Sequence, residues 1–206
     1  DENRAGKSLD LARKAVELDP LDSRAQLCLG WAYAMSNRFN QSILHHRMAK
    51  ELNSYDLWTN MSASQGLAFA AEVEEALEFI TQAETFVANL SPIQWDYIGK
   101  IKFLANDYQG CIDALEECER DLPYIVAIKA AALWHHGRKQ EAGTAFQKFV
   151  SAMRVNWAVD ADPSDEQIVA WFLQCFPFRD KSAYSRLEDG LKQAGQETGY
   201  LRSRAV

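Results

Sequence analysis

The chain has 206 residues, 48% hydrophobic and 25% charged, with a formal net charge of −7. That apolar content is far from a disordered composition, and the acidic balance argues against a broad phosphate-backbone contact face, which needs clustered Lys and Arg. No apolar run approaches the roughly 18 residues of a spanning helix, and no signal peptide is visible. The expected compartment is therefore the cytoplasm, with neither membrane nor nucleic acid as partner. The first residue is Asp1 rather than Met, and the N-terminus falls inside a repeat, so the chain reads as a fragment of a longer protein.

Residues 4–19 predict a helix with Ala12, Ala15, Val16 and Leu18 near one face and Asp19-Pro20 as its stop. A helix pair is expected next. Its first helix carries Leu27, Leu29, Gly30, Ala32 and Tyr33, with Gly30 allowing close backbone approach. Asn37-Arg38 turns the chain, and Phe39, Ile43, His46 and Ala49 face inward from the second helix. The third unit diverges: Asn60 stands in place of a large aromatic and Ser64 in place of Gly. Its second helix runs from Glu72 to about Val87, with Pro92 as a late stop. The fourth unit carries Trp95, Gly99, Tyr108, Cys111, Leu115, Cys118 and Pro123, and the fifth Ala130, Gly137, Ala142, Phe146 and Phe149.

The pattern then breaks at Asp160-Ala161-Asp162-Pro163, with Asp162 expected as N-cap and Pro163 at the first helical position. A helix to about Cys175, the turn Phe176-Pro177-Phe178, and an amphipathic helix from Ser182 to Ala194 closed by Gly195 follow.

These units share a period. Ser8, Ser42, Ala76, Cys111 and Ala142 recur at spacings of 34, 34, 35 and 31 residues. Ala15, Ala49, Ala83 and Cys118 lie seven residues after the first four, and Gly30, Ser64, Gly99 and Ala130 lie twelve before the last four. A period near 34 with small residues at fixed places marks a helix-turn-helix solenoid. The expected fold is all-α.

Trp95-x-x-Ile98-Gly99 with Tyr108, Cys111, Cys118 and Pro123 resembles the tetratricopeptide repeat (TPR), as do Leu29-Gly30-x-x-Tyr33 with Phe39 and Ala49, and Val16 to Pro20. Ser42, Ser54, Ser64, Lys102 and Lys129 depart from its pattern. The resemblance implies a right-handed superhelix over residues 1–160: a half repeat at 4–22, then repeats at about 23–56, 57–91, 92–122 and 123–156. Residues 161–195 are expected to cap the stack and 196–206 to form a tail. The ending, with Phe172, Cys175 to Phe178, Leu187, Gly190-Leu191 and Ala194-Gly195, makes the run similar to the C-terminal arrays of bacterial class III adenylate/guanylate cyclases. That implies a non-catalytic interaction or regulatory scaffold in a signalling protein. The alternatives are the sensor or oligomerisation region of a winged-helix transcriptional regulator and a stand-alone adaptor.

The resemblance also implies a concave groove lined by the first helix of each repeat. Its candidate residues are Trp31, Met35, Trp58, Met61, Phe69, Lys100, Phe103, Tyr124, Trp134 and His135. The expected occupant is an apolar protein or peptide segment, from a partner, another part of the parent chain or a second copy. A lone Lys100 is no clamp for an acidic chaperone tail. No Gly-rich phosphate loop, GxSxG or HExxH is present, so no catalytic residue or cofactor is expected. His45-His46 and His135-His136 make poor metal sites, because adjacent helical residues point about 100° apart. His46 reads as a packed core histidine. Cys28, Cys111, Cys118 and Cys175 read as small buried thiols. The cluster Glu72, Glu74, Glu75 and Glu78 reads as a solvated helix start.

Overall fold

The computed structural model describes residues 2–87, 89–120, 122–157 and 162–197; these form eleven helices and no strand. In chain order they are α1 (Glu2–Leu18), α2 (Ser23–Met35), α3 (Phe39–Leu52), α4 (Leu57–Phe69), α5 (Val73–Phe86), α6 (Pro92–Leu104), α7 (Tyr108–Glu117), α8 (Pro123–His135), α9 (Lys139–Val155), α10 (Asp165–Leu173) and α11 (Lys181–Glu197). Each helix from α1 to α9 packs on its neighbour in the chain, and α2, α4, α6 and α8 also touch one another in series. These four form an inner row with α3, α5, α7 and α9 outside it. Among the described residues no helix is long and apolar enough to cross a membrane.

The four pairs share one turn. Asn37, Ala71, Asn106 and Gly137 have φ of 56°, 70°, 63° and 91°, and each lies five residues before a member of the first small-residue series. The next amide in each turn donates back across the helix end: Arg38 to the Tyr33 carbonyl, Glu72 to Leu67, Asp107 to Lys102 and Arg138 to Leu133, all at 2.9 Å. A left-handed residue with this bonding satisfies carbonyls that a helix end would leave bare. Asn, Asn and Gly tolerate that geometry; Ala71 does not. Ala71→Gly is therefore expected to raise stability by about 0.5–1 kcal/mol. Urea unfolding checks this, and an unchanged midpoint would refute the strain.

The small-residue series mark where outer-helix side chains enter the inner row. A Cβ at Gly30 would lie 2.9 Å from the His46 ring, one at Gly66 2.3 Å from it, and one at Gly99 2.4 Å from Leu115. Gly30 thus makes room for a ring rather than for a second backbone. Ala49 is fully buried and Ala83 nearly so.

Several departures from the repeat pattern compensate one another. The Asn60 amide donates to the carbonyls of Asn53 and Ser54 at 3.2 and 2.9 Å, holding the turn that lacks Asp-Pro. Lys102 pairs with Glu84 at 2.8 Å and Lys129 with Glu116 at 3.0 Å. Glu72 and Glu75 are not merely solvated: Arg47 on α3 bridges both at 2.9 and 2.7 Å.

Helix ends differ from expectation in three places. Pro92 starts α6 instead of stopping α5, consistent with the preference of proline for a first turn. Ser164, not Asp162, caps α10: its hydroxyl accepts from the Gln167 amide while Gln167 Oε1 accepts from Ser164 N. This reciprocal box needs Gln three residues on, and Asp162 instead faces Arg154 at 3.6 Å. Gly195 is buried inside α11 rather than closing it. Gln196 and Glu197, expected in the tail, continue α11, and Asp160, Ala161 and residues 198–206 lie outside the described residues.

Candidate functional site

The candidate residues all lie on the inner row, but they fall into three environments. Toward the C-terminal ends of α4 and α6 the face is already covered. Phe69 is 4% exposed; it stacks on Phe176 at 5.7 Å and meets Phe178 edge-on at 5.2 Å. Phe103 is buried and packs on Tyr108. The backbone of Arg179 donates to the Phe69 carbonyl at 3.0 Å, and its guanidinium reaches the Ala70 carbonyl at 3.4 Å. Arg186 reaches the Leu104 carbonyl at 3.3 Å. His135 Nε2 contacts the Arg186 carbonyl at 2.7 Å and its ring stacks on Tyr108. Residues 176–190 therefore lie across the ends of α4, α6 and α8, while α11 also packs on α9. We call this segment the strap.

The middle of the row is polar and closed. Lys100 is buried and binds Asp96 at 2.6 Å. Its ammonium also lies 4.6 Å from the Tyr124 ring and 6.0 Å from Tyr97. Burial pushes the Asp96 carboxyl up and the Lys100 ammonium down, and their mutual attraction only partly offsets this. Burial, with the charge of Asp96 adding, pushes the Tyr124 phenol up to about 12. Asp96 Oδ1 has no hydrogen-bond partner among the described residues. Met61 is fully buried, and Trp31 donates to Ser62 at 3.1 Å while its ring meets His46 and Phe69.

The remaining part is open. Met35 is 47% exposed and Trp58 41% exposed, with Arg24 5.8 Å above the Trp58 ring. Tyr55, just before α4, is almost fully exposed. Trp134 is half-buried under Lys139 at 4.9 Å.

His46 is fully buried between Gly30 and Gly66. Its Nδ1 pairs with Ser42 Oγ at 3.2 Å and its Nε2 has no hydrogen-bond partner among the described residues. Burial lowers its pKa from 6.5 to about 3, so the ring is neutral. His45 is tied to Gln26 at 2.6 Å and stacks on Tyr33. Cys111 and Cys118 are buried, and burial pushes both thiols up. Cys28 and Cys175 are exposed, against expectation. Cys28 sits on the first helix of the inner row, where no second inner helix covers it, and Cys175 follows the end of α10.

Reading the sequence residue by residue missed Arg179 and Arg186, which pin the strap. Their charge reads as solvated surface, and only the fold brings them to helix-end carbonyls. This arrangement defines an all-helical protein whose inner row is partly covered by its own C-terminal segment. No protein-family model matches the chain, and no curated protein matches it.

Proposed function

We propose that this chain is a non-catalytic protein-interaction scaffold, built from TPR-like helix pairs that wind as a right-handed superhelix. The four equivalent left-handed turns and the continuous inner row support that winding. The observation that carries the interaction role is Trp58: a tryptophan 41% exposed on a rigid inner-row helix, beside exposed Tyr55. Tryptophan and tyrosine supply much of the binding energy at protein interfaces. A surface held by stacked helices costs little to order when a partner docks. The open end of the row at Tyr55 and Trp58 takes the apolar side of a peptide or helix.

Panning a random peptide library against the chain tests this. Enriched peptides should lose at least ten-fold in affinity on Trp58→Ala, with helicity unchanged. A library that yields no binder, or binders indifferent to Trp58→Ala, would overturn the reading. The narrower assignment, to a bacterial nucleotide cyclase or regulator, rests on sequence resemblance alone. Cyclic-nucleotide production by the parent protein with and without this segment tests it.

A further inference from the structure

The geometry points to the C-terminal ends of α4 and α6 as a docking face for an aromatic–proline–aromatic–arginine segment, a face that Phe176-Pro177-Phe178-Arg179 of the same chain holds in cis. The inference rests on the scaffold reading and goes beyond it by naming the ligand chemistry and a competing internal ligand.

Three observations carry it. The first is a ring slot: Phe69 offers one face for stacking to Phe176 and an edge contact to Phe178. The second is electrostatic. Helix C-termini carry partial negative charge and bare carbonyls. Here the Ala70 and Leu104 carbonyls accept from the guanidinium groups of Arg179 and Arg186, and the Phe69 carbonyl accepts from the Arg179 backbone amide. The third is that the internal ligand fits incompletely. The guanidinium contacts to Ala70 and Leu104 are long, at 3.4 and 3.3 Å. Arg186 Nε is buried without a hydrogen-bond partner among the described residues. A solvent-open pocket of about 130 Å³, with Glu74 and Asp180 on its rim, remains beside Phe69, Leu104, Phe178 and Ala183. An external segment with the same rings and cation, and a side chain to fill that pocket, competes with the strap. Its handicap is the high effective concentration of a tethered ligand.

The test uses the full chain and a fluorescein-labelled peptide of residues 175–187 carrying Cys175→Ser. In fluorescence polarisation the variant Phe176→Ala/Phe178→Ala is expected to bind this peptide at least ten-fold more tightly than the unaltered chain. A variant that keeps its helicity and binds no tighter overturns the proposal. Hydrogen exchange on the unaltered chain decides independently of any variant. The Arg179 amide, which donates to the Phe69 carbonyl, is expected to exchange at least ten-fold faster than the amides of α8; equal protection would mean that the segment leaves only when the whole fold opens, and would sink the idea. Either failure leaves the open Trp58 region, and hence the scaffold reading, unaffected.

Discussion

His46→Leu should lose about 3 kcal/mol less stability than the unaltered chain between pH 7 and pH 4. The reason lies in the buried ring between Gly30 and Gly66, whose pKa falls from 6.5 to about 3 on folding. In that window the unfolded chain binds a proton on His46 and the folded chain does not. Stability therefore rises with pH through the window and falls as the solution is acidified, by about 1.4 kcal/mol per unit well inside it. Leucine fits because Leu115 fills the equivalent place against Gly99. Other titrating groups are common to both proteins, so the difference between their urea midpoints across pH isolates His46. Parallel pH profiles would show that the ring does not stay neutral in the folded protein.

Phe146→Ala should cost about 3–5 kcal/mol. Phe146 occupies in the last pair the register that His46, Ile80 and Leu115 occupy in the others. It is fully buried and meets Phe149 edge-on at 6.2 Å, and Phe149 in turn meets Phe172 of α10. Truncation leaves a cavity at the junction of α8, α9 and the C-terminal helices, where many side chains share the load and none is free to collapse inward. Calorimetry or urea unfolding checks it; a loss below about 1 kcal/mol would mean that the site repacks.

The period was legible because close packing restricts residue size at fixed places: Ala49, Ala83, Cys111 and Cys118 are all buried. The turn was legible at Asn37; Asn106 and Gly137 are residue types that carry the same left-handed signal, and Ala71 gives none. The fate of the groove was not legible. Trp31, Phe69 and Phe103 announce contact with something apolar, and residue type does not say whether that is core, strap or partner. The amphipathic pattern of α11 shows that one face is buried without showing against which surface. Helix ends near Pro163 and Gly195 misled because proline and glycine each serve two purposes, termination and fit.

The strap also sets an order of events in the life of the chain. Apart from the packing of α11 on α8, the helix contacts join helices adjacent in sequence or one helix apart, so these form by closing short loops. The Arg179 contacts close loops of 109 and 139 residues, to Ala70 and Asn40, an entropic cost that only a largely assembled array can meet. The strap is accordingly the last part to settle during folding and the first to leave under tension from the C-terminal end. It behaves as a clasp whose state reports whether the middle of the molecule is complete.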